Sequence, residues 1–205
     1  MTIDPTTSAL LVIDLQNDTV GEQGAFADSG AAEFARRHGV VEKASRLVEA
    51  SRAAGMPVVF VWHIDSPGHV DSTANCQLFR GIIEADALVR GTWGAEPVAG
   101  LDLREGDLVV EKQRMSSFNS TTLDTKLRGL ETRTIVVCGA WTNFAIEHTC
   151  RDAADLGYEV VLVSDATATI SDEWQQAALT YALTRIAEQA TTDEVVTALG
   201  AAVPA

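Results

Sequence analysis

GAWTNFAIEHTCRDA, residues Gly139 to Ala153, is the stretch that decides the fold of this chain. It follows the apolar run TIVVC, Thr134–Cys138, and its own residues have helical spacing. A buried strand that runs directly into a helix is typical of α/β proteins. The start of such a helix presents free backbone N–H groups and would activate a nucleophile. The first helical turn carries Ala145 instead, which has no reactive group.

The alternation of strand and helix extends over the chain. Continuous apolar runs predict strands buried on both faces, as in a parallel sheet covered by helices. The predicted strands are Ala9–Leu15, Pro57–Trp62, Asp107–Glu111, Thr134–Cys138 and Glu159–Val163. The predicted helices are Gly39–Ala54, Thr121–Leu130, Asn143–Leu156 and Asp172–Glu188. The sequence therefore predicts an α/β fold, a doubly wound three-layer αβα sandwich with a mainly parallel central sheet, in one domain over residues 1–205.

Composition narrows the classes of partner. Among 205 residues, 15 Lys and Arg against 29 Asp and Glu give a formal net charge of −14, which disfavours binding to nucleic acid or to an anionic membrane.

The apolar run that ends at Asp14 is too short for an export or spanning segment, so we expect no signal peptide. Three cysteines without metal-type spacing favour a reduced, cytoplasmic compartment. We expect the Ala-rich tail after Gly200 to be frayed.

Charged residues stand where the predicted strands end. Asp14 lies at the end of the first strand, and Lys112 follows the third. Alone, Asp14 could equally be a turn former and Lys112 a solvated edge charge. In an open parallel sheet, however, ligands bind outside the carboxyl ends of the strands, where both residues and the helix after Cys138 should converge. Such a rim suits a nucleophilic cysteine with an acid–base partner, but the sulfur is absent.

The order and spacing of these motifs resemble a known family, the isochorismatase-like cysteine hydrolases. The resemblance rests on ALLVIDLQND, EKQRMSSFNSTTLDTKLRGL, VVCGAWTNFAIEHTCRDAADLGYEVVLVSDA and EWQQAAL, and covers nearly the whole chain. The family includes nicotinamidases, N-carbamoylsarcosine amidases, ureidoacrylate amidases and isochorismatases. It implies a hydrolase without a cofactor for a small-molecule substrate, and self-association as a dimer or tetramer.

The resemblance also assigns residues to roles. The family's Asp–Lys–Cys triad falls on Asp14, Lys112 and Ala145, so the nucleophile position is occupied by alanine. The family usually has a cis peptide bond before this turn, here Ala140–Trp141, and an oxyanion hole that would be formed by the N–H groups of Trp141 and residue 145.

Neither nearby cysteine is expected to replace the missing thiol. Cys138 lies inside a predicted strand, where a small buried side chain is the default. Cys150 follows Ala145 by five residues, which turns it to another face of the helix.

Three explanations of Ala145 remain open. The chain could be an inactive Cys-to-Ala variant of an amidohydrolase that cleaves a small amide, ureide, lactam or hydrazide through a thioester at position 145. It could be a vinyl ether hydrolase of the isochorismatase type, in which Asp14 acts as an acid and no thiol is needed. It could also be a non-catalytic binding homologue. The Thr142-Asn143 turn resembles the amidase branch and favours the first explanation.

The same resemblance directs attention to a pocket around the turn. We expect its walls to come from the loop after the first strand, from the long segment Ile64–Val98 and from the turn itself, with Trp93 and Trp141 the favoured aromatics. The predicted substrate-binding residues are Gln16, Phe26, His63, Trp93, Trp141, Asn143 and His148.

A metal site is a further possibility that the resemblance raises. Nicotinamidases of this family bind zinc through an Asp and two His after the second strand. Here His63, Asp65 and His69 stand in that region, in an order that differs from the family pattern. We therefore predict no metal and interpret His63 as a pocket residue.

Overall fold

A single six-stranded sheet forms the centre of the computed structural model, which describes residues 2–202. All neighbouring strands are parallel, in the order β3-β2-β1-β4-β5-β6. The strands are β1 Ser8–Ile13, β2 Val58–His63, β3 Leu108–Lys112, β4 Thr134–Ala140, β5 Glu159–Ala168 and β6 Glu188–Ala190. The predicted doubly wound α/β sandwich is confirmed, with a sheet that is entirely parallel rather than mainly so.

Helices cover both faces of the sheet. They are α1 Asn17–Val20, α2 Ala31–His38, α3 Val40–Ala53, α4 Gln77–Glu84, α5 Leu123–Gly129, α6 Glu147–Asp155, α7 Asp172–Ala177 and α8 Thr192–Ala202. π-helical turns at Thr142–Ile146 and Ala178–Leu183 precede α6 and follow α7. Among residues 2–202, every helix is too short or too polar to span a lipid bilayer.

The period-two alternation of β1 divides the core between two layers. Leu10 and Val12 pack with α3 and α8 on one face, while Leu11 and Ile13 pack with α5 and α6 on the other. All of β1 is buried, as its continuous apolar sequence predicts. A third, small cluster lies outside the sheet and centres on Phe79 of α4.

Several predicted boundaries were wrong. β1 ends at Ile13, so Asp14 is the first residue beyond it. β4 and β5 run longer than predicted, and the predicted helix 172–188 ends earlier because β6 begins at Glu188. The segment 64–98, interpreted as a long loop, contains α4. The tail expected to fray after Gly200 stays helical to Ala202, and the rest of it lies outside the described residues.

The strand order places a topological switch between β1 and β4. From β1 the chain first moves to β2 and β3 on one side, and then crosses back to β4 on the other. Loops that leave the carboxyl ends of β1 and β4 therefore diverge and leave a crevice between them. Asp14 and Trp141 are the residues that follow these two strands.

Candidate active site

A pocket lies at this switch point. It brings together residues from the ends of β1, β2, β3 and β4, from α4 and from the turn before α6. Its lining residues are Asp14, Thr19, Phe26, His63, Leu78, Phe79, Ile82, Leu88, Lys112, Met115, Ala140, Trp141, Phe144 and Ala145. Its cavity volume is about 70 Å³, and together with the adjoining space open to solvent it reaches about 530 Å³, so only a small molecule fits.

Asp14 and Lys112 form a buried ion pair on the pocket wall. Nζ of Lys112 donates to Oδ2 of Asp14 at 2.6 Å and to the carbonyl oxygen of Arg114 at 3.0 Å. Lys112 is only 1% exposed, so the charge of each side chain is compensated chiefly by the other. Oδ1 of Asp14 is buried and accepts no hydrogen bond from the residues that the structure describes. One carboxylate oxygen is thus held, and the other is free.

Ala145 lies in the same pocket, 5% exposed, in the π-helical turn that leads into α6. The Ala140–Trp141 peptide bond is cis, as the sequence resemblance predicts. Side-chain hydrogen bonds tie the turn to the next layer: Oγ1 of Thr142 donates to Oε1 of Gln175 at 2.6 Å. Hydrogen bonds between buried groups therefore fix the turn, unlike a free loop.

A glycine permits the close approach of β4 to β1 just before this turn. Gly139 has a φ of +129°, in a region that side chains rarely adopt, and the β4–β5 register shifts there. A Cβ at Gly139 would overlap the backbone of Ile13, the last residue of β1. Gly139 therefore lets the two strand ends that carry Asp14 and Trp141 lie side by side.

Aromatic and aliphatic side chains form most of the wall, and Asp18 holds two parts of it. Oδ1 of Asp18 accepts from the N–H of Ala25 at 2.9 Å, and Oδ2 accepts from the N–H of Leu88 at 2.8 Å. These bonds fix the segments that carry Phe26 and Leu88. Phe26 meets Trp141 edge to face, with ring centroids 6.1 Å apart.

A chain of paired side chains leads from the pocket to the surface. Nε2 of His63 lies 3.1 Å from Oδ1 of Asp65, and Nδ1 of His69 lies 2.8 Å from Oδ2. Nε2 of His69 lies 3.2 Å from Oδ1 of Asp86, whose side chain is 84% exposed. Among the described residues, no group of three or more His, Cys, Asp or Glu side chains is arranged to hold a metal ion.

These contacts shift two pKa values. Burial alone would raise the pKa of Asp65, but hydrogen bonds from His63 and His69 outweigh it and lower the pKa to about 2. Burial alone would lower the pKa of His69, and the bonds to Asp65 and Asp86 outweigh it and raise that pKa.

Of the predicted site residues, Asp14, Phe26, His63, Lys112, Trp141 and Ala145 line one pocket. Four other predicted pocket residues do not. Gln16 is buried behind the wall, where its Nε2 donates to the carbonyl oxygens of His63 and Ala95. It does not line the pocket, because the backbone groups of His63 and the carbonyl oxygen of Ala95 engage its whole amide.

The remaining three predicted residues face away. Trp93 is 51% exposed and lines a different surface depression. Asn143 accepts a hydrogen bond from Thr169 and lines a shallow surface depression on the other side of the turn. His148 is exposed, with Nδ1 3.0 Å from the carbonyl oxygen of Phe144, so it lies on the solvent face of α6.

Residues of α4 were missed as pocket walls. Leu78, Phe79 and Ile82 lie in QLFRGIIE and have the spacing of one helical face. That spacing could have indicated a helix, but the glycines in and around the segment favoured its interpretation as a loop. Met115 and Phe144 also line the pocket. No sequence pattern singles out those two, because only the tertiary fold brings them to the site.

Cys138 and Cys150 are both fully buried, and burial raises the pKa of each thiol to about 12. Neither lines the pocket. The expectation that neither replaces a nucleophile at position 145 agrees with this placement.

Comparison with known proteins places the chain in a family. Residues 8–194 match the isochorismatase domain. The ureidoacrylate amidohydrolase RutB of Variovorax paradoxus is 32% identical over 179 residues, which cover 82% of this chain and 71% of that protein.

Solved structures agree with the sequence match. A cysteine hydrolase from Pseudomonas syringae pv. phaseolicola superimposes with a TM-score of 0.87 at 28% identity, covering 99% of this chain and 97% of the other. N-carbamoylsarcosine amidase from Thermoplasma acidophilum gives a TM-score of 0.71 at 27% identity, covering 91% and 97%. The chain therefore belongs to the isochorismatase family, among relatives that include cysteine hydrolases and amidohydrolases.

Proposed function

We propose that this pocket is the active site of an amidohydrolase that cleaves a C–N bond, other than a peptide bond, in a small amide, ureide, lactam or hydrazide. Its acid–base residue would be Asp14, its fixed cation Lys112, and its nucleophile a cysteine at position 145. In the chain as it stands, Ala145 occupies the nucleophile position, so covalent catalysis is disabled. Relatives named as amidohydrolases support the reaction class.

The unpartnered Oδ1 of Asp14 carries the proposal. A buried carboxylate oxygen without a donor is unfavourable in a purely structural ion pair, because its lone pairs are desolvated and unused. It is useful in a site where a proton must be accepted from a nucleophile and then returned to a leaving group. Lys112 occupies only Oδ2, so Oδ1 is available for that transfer.

The reaction with a thiol at position 145 would run in two halves. Asp14 takes the thiol proton, sulfur adds to the carbonyl carbon, and the oxyanion rests on the N–H groups of Trp141 and residue 145. The C–N bond then breaks, and the amine leaves with the proton held by Asp14. Water next gives a proton to Asp14 and adds to the thioester. The C–S bond then breaks, the carboxylic acid leaves, and Asp14 gives its proton to the thiolate to restore the thiol.

Removal of sulfur leaves the other parts in place. The ion pair, the turn and the walls do not depend on a side chain beyond Cβ at position 145, so ligand binding is retained while acyl transfer is lost. A vinyl ether hydrolase is the second candidate. It is favoured by the same free Oδ1, which could protonate an enol ether carbon without a thiol.

Acyl trapping tests the proposed nucleophile position. The variant Ala145→Cys, treated with p-nitrophenyl acetate and digested, should carry an acetyl group on the peptide that contains residue 145, together with a burst of p-nitrophenolate. The unmodified protein and Ala145→Cys with Asp14→Asn are the controls, and both should lack the burst. Acetylation of residue 145 that is no faster than that of the half-exposed Cys76 would overturn the proposal.

A further inference from the structure

The pocket has one cation, and that cation is already engaged. Among its described lining residues, Lys112 is the only Lys or Arg. Nζ of Lys112 makes an ion pair with Asp14 and donates to the carbonyl oxygen of Arg114. His63 also lines the pocket, but its Nε2 is already paired with Oδ1 of Asp65 at 3.1 Å. An anionic substrate group would therefore meet a second negative charge, that of Asp14, without a free positive partner among these residues.

The guanidinium groups near this wall are occupied elsewhere. The guanidinium of Arg114 lies over the ring of Phe79, 3.7 Å from its centroid, and donates to Oδ1 of Asn75 at 3.0 Å. Arg80 of α4 donates to the carbonyl oxygen of Ala74 at 3.2 Å and is exposed. Neither arginine lines the pocket, although bidentate recognition by arginine is the usual means of holding a carboxylate.

Apart from Asp14, Lys112, Thr19 and His63, the wall is apolar, and much of it is held in place by contacts within the protein. The large apolar lining residues are Phe26, Leu78, Phe79, Ile82, Leu88, Met115, Trp141 and Phe144. Trp141 is fixed by the bond from its Nε1 to the carbonyl oxygen of Thr19 and by its contact with Phe26. The buried Asp18 fixes the Leu88 segment. Apolar area removed from water is thus the main source of binding energy that the pocket offers.

We propose that the pocket selects an uncharged amide that carries an apolar aliphatic or aromatic substituent, and that it rejects amides that carry a carboxylate. The substituent lies between the aromatic side chains of Trp141 and Phe144 and the face of α4 that bears Leu78 and Phe79. The inference rests on the proposed function for the identity of the reacting group. It separates this chain from relatives whose names, ureidoacrylate amidohydrolase and N-carbamoylsarcosine amidase, denote carboxylate-bearing compounds.

Binding to the unmodified protein, which has Ala145, tests this specificity without turnover. Calorimetry would compare each uncharged amide with a carboxylate analogue of similar length: butanamide with succinamate, hexanamide with adipamate, and benzamide with 4-carbamoylbenzoate. The Kd of at least one uncharged member should be at least about tenfold lower than that of its partner. If no uncharged amide binds more tightly than its carboxylate partner, or if no amide of the series binds, the proposal is overturned.

A second test of this specificity places a positive charge on the pocket wall. Leu78 is half-buried, so Leu78→Arg puts a guanidinium at the pocket without burying it fully. It should shift the preference toward carboxylates by about tenfold or more. The matched control is Leu103→Arg, at a residue that is 44% exposed and does not line the pocket. Equal shifts in both variants would mean that general surface charge, rather than this wall, sets the preference.

Turnover separates this inference from the proposed function. If uncharged amides bind but Ala145→Cys hydrolyses none of them, the reaction class fails and the selectivity of the pocket stands. If Ala145→Cys hydrolyses only the carboxylate-bearing amides, the reaction class stands and this inference is wrong.

Discussion

Nζ of Lys112 lies 2.6 Å from Oδ2 of Asp14, although the two residues belong to strand ends that are not neighbours in the sheet. β2 lies between β1 and β3, so the ion pair reaches across the end of β2. Lys112 is buried and points into the protein, unlike a typical edge-strand lysine, which is solvated. The pair thus engages Oδ2 of Asp14, while Oδ1 accepts no hydrogen bond from the described residues.

Asp14→Asn should nearly abolish turnover in an Ala145→Cys background. Asparagine keeps the shape of the side chain and tolerates the positive φ of 50° at this position, but it cannot accept the thiol proton. We expect kcat to fall by about 10²–10⁴-fold. Asp28→Asn, at an exposed residue outside the pocket, is the matched control and should retain full activity. A fall of less than about tenfold in Asp14→Asn would remove Asp14 from the chemistry.

The ion pair of Asp14 and Lys112 should contribute measurably to the free energy of unfolding. Asp14→Asn leaves the ammonium of Lys112 buried without its counter-ion. Lys112→Met likewise leaves the carboxylate of Asp14 buried without its counter-ion. Each single change should lower the free energy of unfolding by about 3–5 kcal/mol. The double variant should lose less than the sum, because no unpaired charge remains buried. Urea unfolding of all four proteins measures this, and additive losses would show that the pair is not coupled.

Thiol reactivity should distinguish position 145 from the natural cysteines. In the native protein, the half-exposed Cys76 should react with a disulfide reagent, while Cys138 and Cys150 should not until the protein unfolds. Ala145→Cys combined with Cys76→Ser should regain one reactive thiol. Loss of that reactivity in a saturating amide would place the thiol in the pocket. Fast reaction of three thiols in the native protein would contradict the described burial.

Stability should depend on pH at two ends of the range. The pKa of Asp65 is lowered from 3.8 to about 2, so its contribution, about 2 kcal/mol, is present above pH 4 and is lost as pH falls through 2. The pKa of His69 is raised, so its contribution is full below its ordinary pKa and is lost as pH rises through the raised value.

Asp86→Asn isolates the histidine contribution. The change removes the exposed hydrogen-bond partner of His69 and so lowers the pKa of His69. The decline in Tm with rising pH should therefore begin at a lower pH, while the decline in Tm at acid pH is unchanged. Asp28→Asn serves again as the matched control at an exposed site. An unchanged alkaline limb in Asp86→Asn would show that His69 does not control it.

Gly139→Ala should be poorly tolerated. The added Cβ would overlap the backbone of Ile13, and the φ of +129° is unfavourable for alanine. We expect a loss of more than about 4 kcal/mol of stability, or failure to fold. Gly129→Ala, at a residue of α5 where a Cβ would meet no atom within 4 Å, is the control and should be neutral or stabilising. Urea unfolding decides between these outcomes.

The layered fold was predictable because β1, β2 and β4 are buried on both faces and leave unbroken apolar runs in the sequence. β6 left no such run: it has three residues, and two of them are exposed. Its neighbour in the sheet, rather than its own sequence, makes it a strand.

That Asp14, Lys112 and Ala145 converge on one pocket was predictable for a different reason. Asp14, Lys112 and Ala145 follow or end strands, and the ends of parallel strands meet at one edge of the sheet. Gln16 and Trp93 were wrongly predicted to line the pocket, because the contacts that each makes instead cannot be read from the sequence. Gln16 bonds to the backbone of His63, and Trp93 belongs to a separate surface.

The central claim is that position 145 is the nucleophile position of a disabled amidohydrolase. The most direct test compares Ala145→Cys with the unmodified protein for C–N cleavage of uncharged amides, ureides, lactams and hydrazides, with isochorismate cleavage followed in parallel. We predict ammonia, hydrazine or ring-opened product from the cysteine variant alone. If neither protein cleaves a C–N bond while the unmodified protein cleaves the vinyl ether, the account is wrong and Asp14 acts alone as an acid.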